Sequence, residues 1–178
     1  GVFSELLARR CQDLVSIDGN NNAVQLAKQR LAGLSHVKVI QGIIPSALLT
    51  LEERLLATYS LSNGRLANKS PFDLIVISEI LYYLSLKDID TVIAWIKQNL
   101  AIDGTLICCH WRYPIDGFDM TGETVHQRLH QAFNEAANED EKRQQATFTH
   151  QSKLIDTDFL LDVWQRSPNS LAVQENLV

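Results

Sequence analysis

The feature that most constrains this chain is an alternation of short apolar runs with longer segments of helical period. Six runs rich in β-branched residues or leucine predict strands: Leu14–Asp18, Val37–Gly42, Phe72–Glu79, Thr105–His110, Ala146–Leu154 and Asp158–Arg166. Between them, apolar residues recur every three or four positions, which is typical of helices that bury one face. Strands that alternate with helices in this way predict a mostly parallel α/β sheet.

Several side chains mark where helices begin. Ser85 with Asp88, and Thr50 with Glu53, have the spacing of a capping box, and Thr121 precedes a run of helical period. Such side chains predict a helix start because they accept hydrogen bonds from backbone N–H groups that the first turn leaves free. The clearest predicted helix follows Ser85, where five apolar residues lie on one face: Ile89, Val92, Ile93, Ile96 and Leu100.

The last two predicted strands are joined by a tight turn at Asp156 and Thr157, with no helix between them. Strands connected in this way pair antiparallel, because a parallel pair needs a crossover of about a dozen residues or more. A dinucleotide-binding domain usually continues with parallel strands, so this ending disfavours a dinucleotide oxidoreductase.

Length and charge limit the classes of protein to which the chain can belong. At 178 residues it is long enough for one sizeable core, which predicts a single domain over residues 1–178 with a surface loop at 60–70 and a tail at 167–178. The formal net charge of −5 disfavours nucleic-acid partners, and no apolar run approaches the roughly 18 residues that span a bilayer. We therefore expect a cytoplasmic protein that acts on a small molecule, with no nucleic-acid or membrane partner and with its oligomeric state left open.

Cysteine and histidine spacing predicts neither a disulfide framework nor a metal. Cys108 and Cys109 are adjacent inside an apolar run and Cys11 stands alone, as expected of reduced thiols in a folded interior. No grouping of cysteine and histidine has the spacing of a zinc site, so no bound metal is expected. Four of the five histidines have no special placement in the sequence: His36, His126, His130 and His150.

A glycine and an aspartate early in the sequence have the spacing of a cofactor site. Asp18 ends the first predicted strand and follows Gly1 by 17 residues, close to the roughly 20 residues expected between such a glycine and its carboxylate. The glycine lets the backbone approach a ligand, and the carboxylate can accept hydrogen bonds from both hydroxyl groups of a ribose. The alternative is a loop glycine and a turn aspartate that bind nothing.

Glu79 and the polar residues after it are candidates for a reaction site. Glu79 closes an apolar run, where a carboxylate is costly unless it meets a cation, a hydrogen-bond donor or water. A positively charged group or amino group of a cofactor, or a substrate amine, could be that partner, and a capping or turn carboxylate is the alternative. One of Tyr82 and Tyr83 could line the site, although aromatic residues after a strand often fill the core. His110, at the end of the next predicted strand, could be a base or a structural histidine.

Several segments resemble class I S-adenosylmethionine-dependent methyltransferases. Residues 1–8, Gly-Val-Phe-Ser-Glu-Leu-Leu-Ala, are similar to the second half of the methyltransferase glycine motif. Residues 72–84, FDLIVISEILYYL, resemble the fourth-strand motif of the nodulation protein S family in particular. The segments 110–114 and 121–126 are also similar to bacterial relatives of that family, so the resemblance covers nearly the whole chain.

The resemblance implies a Rossmann-like α/β sheet in the order 3-2-1-4-5-7-6, with the last strand antiparallel. The first strand and its leading glycines have no counterpart in the printed sequence, so we expect an N-terminally truncated methyltransferase domain. It also implies S-adenosyl-L-methionine as cofactor and transfer to the amine of a small molecule or of a chitooligosaccharide-like saccharide. Transfer to oxygen, and a methyltransferase-like domain that binds without catalysis, are the alternatives.

The resemblance also implies which residues bind the cofactor, take part in catalysis and bind the acceptor. The expected cofactor-binding residues are Gly1, Phe3, Asp18, Gly42, Ile43 and Ser78. The expected catalytic residues are Glu79, His110 and Tyr82, and the expected acceptor-binding residues are Tyr83, Trp111 and Arg112. Methyltransferases often place an aspartate beside the adenine after the third strand, whereas this chain reads QGIIP at residues 41–45. Adenine recognition is therefore expected from the backbone near Ile43 and from its apolar side chain.

Overall fold

A computed structural model describes residues 1–51, 72–134 and 147–167. The chain divides into two compact units, Gly1–Arg65 and Leu66–Val178, and each unit has its own sheet. The predicted surface loop lies outside the described residues, as does nearly all of the predicted tail. Within the described part of the chain, no helix is long and apolar enough to cross a membrane.

The first unit alternates helices and strands: α1 (Val2–Ala8), β1 (Leu14–Asp18), α2 (Asn21–Leu31) and β2 (Val37–Gln41). The two strands pair in parallel, and the last residues of each, Asp18 and Gln41, lie opposite one another. α2 is capped by Asn20, whose side chain accepts a hydrogen bond from the backbone N–H of Ala23 at 3.1 Å. The side chains that its period predicted to be buried are buried: Val24, Ala27 and Leu31.

A further helical segment of the first unit begins at residue 46 and continues through residue 51. The prediction that Thr50 caps a helix is therefore wrong, because Thr50 already lies inside this segment. Its hydroxyl donates to the carbonyl oxygen of Ser46 at 3.3 Å. The helix begins early because Pro45 precedes it, and proline is favoured at a helix start, where its missing N–H leaves no donor unpaired. Glu53, the other member of the predicted capping box, lies outside the described residues.

The second unit contains β3 (Phe72–Ser78), a short 3₁₀ helix (Leu81–Tyr83), α3 (Leu86–Asn99), β4 (Leu100–Trp111), α4 (Gly122–Asn134), β5 (Thr147–Ile155) and β6 (Phe159–Ser167). Its sheet has the order β3-β4-β6-β5. β3 and β4 are parallel, whereas β6 runs antiparallel to both of its neighbours. The predicted antiparallel pairing of the last two strands is confirmed, and the turn between them is closed by the Asp156 N–H, which donates to the Phe159 carbonyl at 3.0 Å.

The sheet of the second unit agrees with the second half of the expected strand order. In the expected numbering, β3-β4-β6-β5 would be strands 4-5-7-6, and β1 and β2 would be strands 2 and 3. The described strands form two separate sheets, so the complete order 3-2-1-4-5-7-6 stays a prediction. What is confirmed is an α/β fold with parallel pairs and an antiparallel last strand.

Both caps predicted for helices of the second unit are confirmed. The hydroxyl of Ser85 accepts from the Asp88 N–H at 3.2 Å and donates to its carboxylate at 2.7 Å. The hydroxyl of Thr121 accepts from the Thr124 N–H at 3.2 Å. Such a cap contributes about 1 kcal/mol, whereas a fully buried aliphatic side chain contributes about 1.5–3 kcal/mol. The caps therefore set where the helices begin, and the buried face holds them in place.

One face of the second sheet carries polar residues inside its core. Alternate residues of β4 and β6 are buried there, as the two-residue period of a strand dictates: Leu106, Cys108, His110, Leu160, Asp162 and Trp164. α4 packs against β5 and β6 and contributes a buried histidine of its own, His126. Buried polar groups are costly unless they are hydrogen-bonded, so the partners of these residues decide what this face of the sheet can do.

Candidate active site

At the carboxyl ends of β1 and β2, Asp18 presents an exposed carboxylate. The backbone N–H of Gly42 donates to the Asp18 carbonyl at 3.0 Å, which ties the two strand ends together. The Oδ1 atom of Asp18 accepts from the backbone N–H of Asn20 at 2.8 Å, which fixes the direction of the side chain. The second carboxylate oxygen can therefore accept a hydrogen bond from a hydroxyl group of a ligand at the strand end, where open α/β sheets bind their ligands.

Beside this edge, Gly42 and Ile43 border an open depression of about 340 Å³ lined by residues between 40 and 51. A β-carbon on Gly42 would lie 2.6 Å from the β-carbon of Ala47, so a glycine is needed for the helical segment to approach the strand end. The side chain of Ile43 is 73% exposed. An exposed apolar side chain at the mouth of such a depression suits the flat face of an aromatic ring.

Gly1 and Phe3 lie at the beginning of α1. A β-carbon on Gly1 would come within 2.9 Å of the α-carbon of Ala27, so this glycine allows α1 to pack closely on α2. Phe3 is 53% exposed. The described contacts of Gly1 are thus explained by helix packing, and its role in cofactor binding stays a prediction.

In the second unit, Glu79 follows the end of β3 in a strained conformation. Its φ angle is +58°, a left-handed value that costs a residue other than glycine about 1 kcal/mol or more. Its N–H donates to the Cys109 carbonyl at 3.0 Å, and its Oε2 accepts from the Tyr82 hydroxyl at 2.5 Å. Its Oε1 is buried and has no hydrogen-bond partner among the described residues. Strain and an unsatisfied buried oxygen at a strand end are features that ligand-binding sites accumulate.

The two tyrosines after Glu79 occupy different environments. Tyr82 is buried, and burial together with the hydrogen bond to Glu79 raises its pKa well above the ordinary value. It therefore remains a hydrogen-bond donor that orients the Glu79 carboxylate. Tyr83 is 46% exposed and packs edge-on against Tyr82 and Phe118, with ring centroids 4.7 and 4.8 Å away. Tyr83 is thus the tyrosine that an acceptor can contact, and Ser78 is exposed one residue before Glu79.

His110 lies beneath Tyr82 and is fully buried, with the two ring centroids 5.5 Å apart. Its Nε2 accepts from the backbone N–H of Leu81 at 3.4 Å, so the ring proton lies on Nδ1 and is donated to Nε2 of His126 at 3.0 Å. Burial and the neighbouring His126 lower the pKa of His110 to about 3, so the ring is neutral. Both ring nitrogens are engaged inside the protein, which favours a positioning role under Tyr82.

Trp111 ends β4, and Arg112 follows it beside the turn that joins the last two strands. The Trp111 ring packs near Phe159 with the centroids 5.9 Å apart. Arg112 donates to the Glu123 carboxylate at 2.9 Å and to the Asp156 carbonyl at 2.8 Å. The guanidinium therefore joins the end of β4 to α4 and to the turn, and its role in acceptor binding stays a prediction.

The expectation that His126, His130 and His150 have no special placement is wrong. All three surround the buried carboxylate of Asp162, to which they lie within 2.5, 3.3 and 2.6 Å, respectively. Burial alone would raise the pKa of Asp162, but hydrogen bonds from His126 and His150 outweigh it and hold that pKa below its ordinary value. The available signal was the four-residue spacing of His126 and His130, which puts them on one helix face.

Comparisons of the whole chain with known proteins point to one reaction class, methyl transfer. No family model and no curated protein sequence matches the chain. Among solved structures, a protein from Pseudomonas syringae assigned as a methyltransferase is 30% identical, with a TM-score of 0.62, over 93% of this chain and 80% of that protein. The N-methyltransferase NodS from Bradyrhizobium japonicum WM9, solved with S-adenosyl-L-homocysteine, is 23% identical, with a TM-score of 0.64, over 94% and 74%. A protein from Sulfolobus solfataricus assigned as a type 11 methyltransferase is 16% identical, with a TM-score of 0.56, over 94% of this chain and 79% of that protein.

Proposed function

The chain belongs to the class I S-adenosylmethionine-dependent methyltransferases, and we propose that it methylates an amine nitrogen of a small molecule or a saccharide. Membership follows from the 30% identity to the Pseudomonas syringae protein over most of both chains. Transfer to nitrogen is supported by the environment of Glu79, because its Oε1 has no hydrogen-bond partner in the described part of the chain and can accept from an amine N–H. The fold-level likeness to an N-methyltransferase is consistent with this acceptor.

The first unit supplies groups that fit the adenosine part of S-adenosylmethionine. We assign the Asp18 carboxylate to a ribose hydroxyl, and the Gly42 backbone and the Ile43 side chain to the adenine. Each assignment rests on its own contact: the oriented carboxylate, the close approach that only glycine permits, and the exposed isoleucine beside the depression. Gly1, Phe3 and Ser78 are proposed to bind the same cofactor on the ground of the motif alone.

The second unit supplies groups that fit the acceptor. When bound, S-adenosylmethionine provides a methyl group that its sulfonium already activates, so the protein mainly aligns the nucleophile and excludes water. Oε1 of Glu79 accepts an N–H of the amine and can take the proton that an ammonium must lose. The Tyr82 hydroxyl donates to the other oxygen of Glu79, and the His110 ring packs against the Tyr82 ring. The exposed Tyr83 ring is proposed to contact the acceptor. Trp111 and Arg112 are proposed to contact its more distant parts.

The cofactor assignment predicts a loss of affinity in the variant Asp18→Ala. Removing a hydrogen bond that a ribose hydroxyl donates to a carboxylate costs about 1.5–3 kcal/mol, which is a loss of roughly ten- to hundredfold in S-adenosylhomocysteine affinity. Isothermal titration of the chain measures it. Asp13→Ala, which removes another exposed carboxylate of the same unit, is the matched control. Unchanged affinity in Asp18→Ala would remove Asp18 from the site.

The acceptor assignment is tested with pairs of substrates that differ only at nitrogen. An oligosaccharide of glucosamine with one free amine is compared with its fully N-acetylated form, using S-adenosylmethionine labelled in the methyl group. We expect label to be transferred only to the free amine. Transfer to the acetylated form would place the methyl on oxygen, and S-adenosylhomocysteine binding without transfer to any amine or hydroxyl acceptor would favour a non-catalytic domain.

A further inference from the structure

Three side chains from three elements of the second unit converge on one point. They are His130 on α4, His150 on β5 and Asp162 on β6, and their ligand atoms lie within 4.8 Å of one another. We propose that these residues bind one divalent transition-metal ion, with Zn²⁺ the ion that two imidazoles and a carboxylate suit best. The proposal is independent of methyl transfer, because the three residues differ from those assigned to the cofactor and the acceptor.

Two of the three ligand-atom distances can be compared with those of a tetrahedral site, and all three atoms lie within 4.8 Å of one another. Two ligands that each lie about 2.0–2.1 Å from a zinc ion are about 3.3 Å apart. Nε2 of His130 lies 3.3 Å from Oδ1 of Asp162. Nε2 of His150 lies 2.6 Å from the same oxygen, so this ring has to withdraw by roughly 0.7 Å to reach that spacing.

An ordered outer shell fixes the orientation of the Asp162 carboxylate. Its Oδ2 accepts from Nδ1 of His126 at 2.5 Å, and Nε2 of His126 accepts from His110 at 3.0 Å. His110 in turn accepts from the backbone N–H of Leu81. The backbone donor at one end of this chain sets the tautomer of both histidines, so Oδ1 is left to face His130 and His150. Such outer partners orient metal ligands and are part of a working site.

The two ligand imidazoles are also held in place. The Trp164 ring packs against both, with centroids 5.1 Å from His130 and 5.4 Å from His150. The pairing of β5 with β6 shifts between His150 and Ser152, a bulge that leaves one extra residue in β5. Bulges change the direction of a strand's side chains and are frequent beside functional sites. The convergence of the two histidines is thus built into the strand and the helix.

Charge and access both favour an ion at this point. The fully buried Asp162 carboxylate brings a negative charge to this point, which a bound cation would offset. The side chains of His130 and His150 are 27% and 30% exposed, so an ion can reach the carboxylate through them. His130 also borders an open depression of about 450 Å³ that Lys153 lines.

The test is a titration of the metal-free 178-residue chain with Zn²⁺ in the presence of a reductant that does not bind zinc. We expect one equivalent to bind, and His130→Ala and His150→Ala each to weaken that binding by at least tenfold. His36→Ala, which removes a histidine hydrogen-bonded to the Ala8 carbonyl in the first unit, is the matched control and should bind as the parent does. Circular dichroism establishes that each variant is folded.

A second measurement does not depend on the folding of the variants. Co²⁺ in place of Zn²⁺ in the parent chain should give the visible absorption of a tetrahedral site with nitrogen and oxygen ligands, without the thiolate charge-transfer band that binding at a cysteine produces. The proposal is overturned if the parent binds no Zn²⁺ at micromolar concentration, if the Co²⁺ spectrum carries the thiolate band, or if folded His130→Ala and His150→Ala bind as tightly as His36→Ala.

Discussion

Glu79, directly after β3, and Asp162, on β6, are acidic residues of the same unit, yet the protein surrounds their carboxylates differently. Glu79 has one oxygen held by Tyr82 and one buried oxygen without a described partner, on a strained backbone. Asp162 has both oxygens engaged by histidines, on regular strand backbone. A carboxylate with one unsatisfied oxygen on a strained backbone is suited to binding a ligand reversibly. A carboxylate whose two oxygens both accept hydrogen bonds instead stabilises the residues around it.

The largest effect that this comparison predicts is on stability. Asp162→Ala leaves three histidines around an empty position, and removing one partner of a buried charged network costs about 3–5 kcal/mol. Urea denaturation in the presence of EDTA measures the free energy of unfolding. Glu79→Gln, which alters the half-satisfied carboxylate, is the matched variant and should change that free energy by less than about 1 kcal/mol. An equal loss of unfolding free energy in Asp162→Ala and Glu79→Gln would show that the two carboxylates do not differ in their contribution to stability.

The next effect is on turnover. Glu79→Gln keeps the shape of the side chain but removes the base, and a positioned base contributes about 10²-fold or more to rate. The loss should be greatest below the pKa of the acceptor amine and should shrink at higher pH, where the amine has already lost its proton. Turnover measured across pH with a saturating amine acceptor shows it. A loss that is uniform across pH would instead assign Glu79 to positioning, and full activity would remove it from the reaction.

His110 lies between the surroundings of Glu79 and those of Asp162, and its lowered pKa predicts that stability depends on pH. Its pKa is lowered from 6.5 to about 3 in the folded chain, so between these values the unfolded chain holds a proton that the folded chain lacks. Stability should therefore fall as the pH falls below about 6.5, by up to about 1.4 kcal/mol per pH unit for this one proton. Urea denaturation at pH 7, 6, 5 and 4 in EDTA measures the slope.

The control for this slope is His110→Asn, which removes the titrating ring and keeps a polar side chain at the position. The difference between the two slopes isolates His110 from the other histidines of the chain. An unchanged slope in His110→Asn would mean that the ring is protonated in the folded state, and the assigned tautomer chain from Leu81 to Asp162 would then be wrong.

The sequence predicted what is decided locally. The caps at Ser85 and Thr121, the first strand and the antiparallel ending depend on residues that are close in the sequence, and all are confirmed. The Thr50 cap failed because a neighbouring proline began the helix earlier, which is a competition between two local signals. The histidines around Asp162 were missed because their meeting depends on the register of β5 with β6 and on the packing of α4, which sequence spacing does not encode.

The smallest predicted effect separates orientation from chemistry at Glu79. Tyr82→Phe removes the hydroxyl that donates to Oε2 at 2.5 Å and keeps the ring that packs on His110. Loss of one hydrogen bond to a carboxylate should lower stability by about 1–2 kcal/mol and turnover by less than about tenfold, because Oε1 still reaches the amine. Tyr113→Phe, which removes another tyrosine hydroxyl of the same unit, is the matched control. If Tyr82→Phe lowers turnover as much as Glu79→Gln does, the tyrosine hydroxyl is itself part of the reaction and the two residues act as one group.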